Sequence, residues 1–126
     1  QTTGSDQRPL IQNRVPSLPS SARLLTGAEF RRVFEARRRH GNTAFRIHFA
    51  DSMAPRLGIA VSRRVSPKAV VRNRIRRQVR ESFRLNRPYL ASMDYVVLAQ
   101  PDAAAMNRAE LRAALENLWQ RFSVTA

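Results

Sequence analysis

Apolar residues along the chain recur with two different periods, and each period predicts an element. Val71, Ile75, Val79 and Phe83 stand four apart, so at about 100° per residue they share one side of a helix and can face a core. Ser66 and Pro67 fit the start of that helix, with Ser66 as N-cap and Pro67 at the first helical position, where its missing N–H costs nothing. Asn86, Arg87 and Pro88 end it, because the residue before a proline is pushed out of the helical region. Upstream, Thr26 and Glu29 match a capping box, with Leu25 placed to staple against Phe30. The helix they start carries Phe30, Val33 and Phe34 and is predicted to run to a stop at His40-Gly41-Asn42, so that Phe30, Phe34 and Arg37 share a ridge. Asn107 and Glu110 repeat the capping pattern before a last helix whose core side is Leu111, Ala114, Leu115, Leu118, Trp119 and Phe122.

Three shorter segments read as strands. Phe45, Ile47 and Phe49 alternate with Arg46 and His48. Leu57, Ile59 and Val61 alternate with Gly58, Ala60 and Ser62, whose small side chains leave a shallow surface. Paired with each other in register, these two strands would carry Arg46 and His48 along that surface, and a neighbouring helix bearing Phe30 and Phe34 would complete a cleft. The run from Tyr95 to Ala99 is apolar without alternation, which predicts a central strand buried on both faces and parallel to a neighbour.

Charge changes the picture of the helix around Ile75. Between Ser62 and Arg84 the chain places nine cations and one acid, Glu81. Arg72, Arg76, Arg77, Arg80 and Arg84 fall on an arc roughly 140° wide, with Asn73 among them and Arg74 toward its far edge. Such a ridge repels itself unless acids are interspersed one turn away, so a polyanionic partner is expected opposite it. The whole chain, 126 residues with 23 basic against 9 acidic side chains, has a net charge of +14, far more than solubility requires. Lys68 is the only lysine. Arginine's planar fork binds phosphate in pairs of hydrogen bonds and stacks on bases, which favours nucleic acid without choosing RNA over DNA.

Other chemistry finds little material. There is no cysteine, which excludes disulfides and thiol catalysis and fits a cytoplasmic protein. His40 and His48 are wrongly spaced for a helical metal pair, the acids form no close pair, and no Gly-rich phosphate loop occurs, so neither a metal site nor a catalytic residue is assigned to the protein. No apolar run reaches the length of a membrane span. Residues 1–22 are polar and rich in proline and serine, and read as a flexible basic arm, with Arg8, Arg14 and the adjoining Arg23 available to phosphate. Residues 23–126 then form a single domain, with 43% hydrophobic residues in the chain as material for its core.

With these motifs in place the chain resembles the protein subunit of bacterial ribonuclease P, over about Leu25 to Phe122. The resemblance rests on Glu29-Phe30 and Val33-Phe34, on Leu57-Gly58-Ile59-Ala60-Val61-Ser62-Arg63-Arg64, on Lys68, on Arg72-Asn73-Arg74-Ile75-Arg76-Arg77 with Arg80-Glu81, and on Asp94-Tyr95-Val96-Val97 after them. It implies an α+β sandwich of order α-β-β-β-α-β-α, similar to the second domain of ribosomal protein S5, with a four-stranded sheet. Its β-α-β crossover is expected to be left-handed, where general rules alone would choose right-handed. It also implies an endoribonuclease holoenzyme in which the RNA subunit holds the catalytic Mg²⁺ and cleaves precursor tRNA. The protein then binds that RNA through Arg63, Arg64, Arg72, Asn73, Arg74, Arg76, Arg77 and Arg80, and holds the 5′ leader with Phe30, Phe34, His48, Lys68 and Arg72. The family often has an aromatic residue where this chain has His48. Three alternatives share the basic helix: a structural ribosomal-type RNA-binding protein, a DNA-binding regulator with the helix in a major groove, and a binder of anionic membranes. The last is disfavoured because the helix needs its apolar side for the core.

Overall fold

The chain folds in the order α1 (Gly27–Glu35), β1 (Arg39–Gly41), β2 (Phe45–Asp51), β3 (Arg56–Ala60), α2 (Ala69–Asn86), β4 (Met93–Ala99) and α3 (Arg108–Trp119), with short 3₁₀ turns after α2, β4 and α3. This computed structural model describes residues 22, 23 and 26–124. Arg8, Arg14 and the staple residue Leu25 lie outside the described residues, as does the predicted arm except for its last residue, Ala22, which is buried in the core. The four strands form one sheet in the order β1-β2-β4-β3, in which β3 and β4 are parallel and the other pairs antiparallel. The result is the α+β fold with the element order expected of the family, in which α2 is the connection between the two parallel strands.

The alternation of each strand decides which layer it meets. Phe45, Ile47, Phe49, Leu57, Tyr95 and Val97 join Ile75, Val79 and Phe83 of α2 and Leu111, Leu115, Leu118 and Trp119 of α3 in one buried cluster. Tyr95 is the hub of its rings: centroids lie 5.6 Å from Trp119, 5.1 Å from Phe122 and 6.2 Å from Phe83. Its hydroxyl donates to the Ala91 carbonyl at 2.7 Å, and burial pushes its pKa well above the usual phenol value. Trp119 Nε1 donates to Ser82 Oγ at 2.8 Å, so the two helices share a satisfied polar contact inside an apolar layer. On the opposite face a smaller cluster of Val33, Ala50 and Val96 seats α1 on β2 and β4. As the missing alternation of residues 95–99 predicts, β4 is central, with Tyr95, Val96 and Val97 fully buried.

Four expectations are corrected. β2 and β3 do not pair with each other, because β4 lies between them. Period identifies which face a side chain takes and is silent about which strand lies beside it. The first helix ends at Glu35 rather than near His40, since Arg37 takes the left-handed conformation (φ 57°) and turns the chain back as β1. Arg37 is therefore not on a ridge with Phe30 and Phe34. Finally, α2 starts at Ala69 with Lys68 in the N-cap position, and no side chain caps it. Ser66 Oγ instead accepts from Lys68 N–H at 3.2 Å in a local turn. The two capping boxes, Thr26 with Glu29 and Asn107 with Glu110, form as the sequence predicts.

The hairpin from β1 to β2 depends on two neighbours. Asn42 Oδ1 accepts from the N–H groups of Ala44 and Phe45 at 3.0 Å each, while its Nδ2 donates to Ala114 O in α3. At Gly41 a Cβ would stand 2.7 Å from the Phe45 carbonyl oxygen, closer than van der Waals contact allows. Gly41→Ala is therefore expected to destabilise the fold by about 1–3 kcal/mol, through a forced backbone shift in the hairpin. Denaturant unfolding of the two proteins checks this, and equal midpoints would count against it.

Candidate nucleic-acid interface

The sheet register lays three rows of residues across the face that carries α1. These rows are Ala50–Asp94–Arg56, His48–Val96–Gly58 and Arg46–Leu98–Ala60. The first row anchors the helix. Asp94 is fully buried, and an unpaired carboxylate there would be costly. Arg56 grips it with Nε to Oδ1 at 2.7 Å and Nη2 to Oδ2 at 2.8 Å, and Arg32 of α1 adds an ion pair to Oδ2. The third nitrogen of the Arg56 fork, Nη1, meets Glu29 Oε2 at 2.7 Å. Glu29 also closes the capping box of α1, so one arginine ties the helix N-terminus to the buried acid. Arg32 donates a further hydrogen bond to the Asp51 carbonyl.

Clamped in this way at its first turns, α1 carries Phe34 to the second row. There its ring meets the His48 imidazole edge-on with centroids 4.9 Å apart, and Phe30 follows one turn back at 6.5 Å from Phe34. Phe34 remains 37% exposed, which leaves an aromatic surface open. The structure thus brings together Phe30, Phe34 and His48 of the expected cleft. His48 is half-buried, with its Nδ1 enclosed and lacking a partner among the described residues. Burial first, then the charges of Arg46 and Arg39, hold its pKa below the usual value of 6.5. The ring is consequently neutral at pH 7 and behaves as an aromatic neighbour rather than a cation.

Beyond β3 the chain turns through residues 61–68 into α2. Lys68 and Arg72 lie at the start of this helix, where Arg72 Nη1 donates to the Ser66 carbonyl at 3.0 Å. Arg76 donates to Val61 O and to Asn73 Oδ1, and Arg74 to Ala104 O. Arg63, Arg64, Arg77 and Arg80 are exposed and extend the same surface. Glu81 pairs with Arg84 at 2.5 Å, leaving the residues before it without a carboxylate on this helix. The apolar stripe of α2 behaves as its spacing predicts, with Ile75, Val79 and Phe83 buried and Val71 packed against them. The cationic ridge is thereby held outward.

The pattern of apolar positions did not reveal the clamp. Its only sequence signal is a lone acid, Asp94, at the head of an apolar strand; its partner Arg56 is 38 residues away. Among the described residues, no three of His, Asp or Glu gather to hold a metal ion, and no helix is long and apolar enough to cross a membrane.

Comparison with known proteins matches a family profile described as Ribonuclease P to residues 18–123. A curated relative from Methylococcus capsulatus, the ribonuclease P protein component, is 48% identical over 103 residues, 80% of each chain. The protein of the same name from Thioalkalivibrio sulfidiphilus is 37% identical, over 83% of this chain and 89% of its own. Among solved structures, the RNase P protein of Staphylococcus aureus superposes with a TM-score of 0.74 at 27% identity, covering 79% of this chain and 94% of that one. The RNase P protein of Thermotoga maritima does so with a TM-score of 0.71 at 30% identity, covering 80% and 97%.

Two measurements test this geometry. Asp94→Ala strips the clamp of its buried acid, leaves Arg56 partly enclosed without its main partner, and is expected to cost about 3–5 kcal/mol in denaturant unfolding. Asp51→Ala removes an exposed ion pair with Arg38 and is expected to cost under about 1 kcal/mol. Comparable losses for the two would contradict the clamp. For His48, a folded pKa below the unfolded value gives stability that is complete above pH 6.5 and declines as pH falls through the folded value. His40, lowered by burial and by Arg121, acts in the same sense. Replacing His48 with Phe should flatten, without abolishing, the acid-side decline of the melting temperature; an unchanged pH profile would show that His48 is not desolvated.

Proposed function

The chain belongs to the ribonuclease P protein family, and from that premise we propose that it is the RNA-binding subunit of a ribonucleoprotein endoribonuclease that removes the 5′ leader of precursor tRNA. The observation that carries this reading is the division of one small domain into two open surfaces of different chemistry. The outward ridge of α2 offers guanidinium groups with no acid before Glu81. Opposing the repulsion within it is the natural role of a phosphate backbone, which releases counterions as it binds. Across the sheet, Phe34 presents a partly exposed ring in contact with His48. An open aromatic face suits unpaired nucleotides, which stack without regard to sequence.

In this reading Arg63, Arg64, Arg72, Asn73, Arg74, Arg76, Arg77 and Arg80 meet the phosphates of the catalytic RNA. Phe30, Phe34, His48, Lys68 and Arg72 hold the leader, with Arg72 at the junction of the two surfaces. Mg²⁺ and the bond-breaking step belong to the RNA subunit; the protein contributes binding and orientation. The clamp around Asp94 supports the division, because it fixes α1, and with it Phe30 and Phe34, independently of α2.

The test compares Phe34→Leu with Arg77→Ala after melting curves confirm that both are folded. Phe34→Leu retains apolar bulk and loses the ring face. Its assembly with the RNA subunit should be nearly unchanged, while preference for leader-bearing precursor over mature tRNA falls by the equivalent of about 1–3 kcal/mol per lost stacking contact. Arg77→Ala should weaken assembly whatever substrate is present. If Phe34→Leu weakens assembly as much as Arg77→Ala and leaves the leader preference intact, Phe34 serves only the packing of α1.

A further inference from the structure

Three hydrogen-bond donors stand together on the face of the sheet that carries α1, at the edge formed by β1. Arg46 and His48 are two residues apart on β2 and so share that face, and Arg39 of β1 is the register partner of His48. Arg39 and Arg46 are thus diagonal neighbours across the ladder, a separation of about 7–8 Å that long side chains bridge easily. Both are exposed, and neither makes an ion pair among the described residues. Together they line an open pocket of about 520 Å³ at the β1–β2 hairpin, with no acid in its wall. We propose that Arg39, Arg46 and the Nε2–H of His48 form a phosphate subsite that carries the 5′ leader from the Phe34 ring out over β1. The proposal rests on the leader-binding reading above and adds two arginines to that surface.

Two observations converge. Like charges so placed repel, and on a sheet face the usual relief is an acid on the neighbouring strand. Here Arg46 has Gly41 and Leu98 beside it, and His48 has Arg39 and Val96, so relief comes from outside the chain. Independently, among the described residues Nδ1 of His48 is the one buried side-chain polar atom without a hydrogen-bond partner. A neutral imidazole carries a single N–H, and an N–H sealed in without an acceptor is rarer in folded proteins than an under-used acceptor. The proton therefore resides on Nε2, which is not enclosed and is paired with no described residue. Burial first, then the charges of Arg46 and Arg39, lower the pKa of the ring, which keeps it neutral and places the three groups within electrostatic reach. Toward solvent these groups only donate. A phosphate, which only accepts, completes such a set, whereas a base edge brings donors of its own. The leader supplies that phosphate, because the Phe34 ring touches His48 on this face while α2 packs in the layer behind the sheet.

The experiment measures binding by the full chain assembled with the RNA subunit, using precursor tRNAs in which one leader linkage at a time is an uncharged methylphosphonate, with mature tRNA as reference. In wild type, neutralising one particular linkage should weaken binding about three- to tenfold. Replacing Arg39 and Arg46 together with Gln should weaken binding of unmodified precursor by a similar factor, about three- to tenfold, and abolish sensitivity to that linkage. It should also lower the log–log salt slope by about 0.7, the share of one single-strand phosphate. His48→Phe keeps a ring and loses the N–H; it should weaken precursor binding about two- to fivefold with the slope unchanged, because a neutral donor releases no counterion. Affinity for mature tRNA and assembly with the RNA subunit should stay at wild-type values throughout. Both arginines are exposed, so their replacement leaves the core intact, and should His48→Phe melt early, the arginine pair and the linkage scan decide the proposal. Wild-type affinity and linkage sensitivity in the double variant, with Phe34→Leu still lowering the leader preference, would overturn the subsite and leave the leader-binding reading standing. Poor assembly of the double variant with an intact leader preference would assign both arginines to the RNA subunit and equally overturn it. A wild type without any preference for leader-bearing precursor would remove both.

Discussion

A carboxylate buried with no exposed surface must be paired, and the way Asp94 is paired determines how the face of the sheet is organised. Its site on the central strand β4 lies between β2 and β3, where an arginine from either neighbour or from above can reach it. Arg56 comes from β3 and Arg32 from α1, so a strand and a helix distant in sequence are joined through one group. The extension from Arg56 to Glu29 then links that acid to the first turn of α1. Apolar contact beneath the helix is small, comprising Val33, Ala50 and Val96 with Phe30 and Leu98 at the margin. Orientation is thus left to the ionic contacts, which are directional, while the apolar patch supplies adhesion, which is not.

The opposite layer works by different means. There α2 and α3 bury most of the large side chains of the domain, and the polar contacts between them, from Trp119 to Ser82 and from Ser82 and Asn86 to Glu116, are paired. That apolar attachment is what allows α2 to present so many guanidinium groups outward. A helix with this charge and no packed side would disperse in water, since its own i,i+4 pairs repel. The stripe that packs into the core and the cationic ridge therefore occupy opposite sides of the same 18 residues.

The parts of the fold written in local pattern were legible. The stripe of Val71, Ile75, Val79 and Phe83, both capping boxes and the doubly buried strand from Tyr95 to Ala99 each follow from residues within a turn or two of one another. What escaped depends on distant partners. β1 has the sequence Arg39-His40-Gly41, with no apolar alternation to announce it, and is a strand because β2 offers it hydrogen bonds. The insertion of β4 between β2 and β3 is equally invisible to period. At α2, Ser66 and Pro67 fit a helix start and a preceding turn alike; the Lys68 N–H and the Arg72 guanidinium, both bonded to Ser66, favour the turn. In the candidate site, the outward arginines could be read from spacing alone. The clamp could not, because burial of a polar group is a tertiary fact.

Hydrogen–deuterium exchange of the full chain observes both proposed RNA-facing surfaces at once. The RNA subunit alone should protect α2, and adding leader-bearing precursor tRNA should extend protection to α1 and to β2 around His48. Mature tRNA should give no such extension. Equal protection of α1 by mature and precursor tRNA, or by the RNA subunit alone, would contradict the separation.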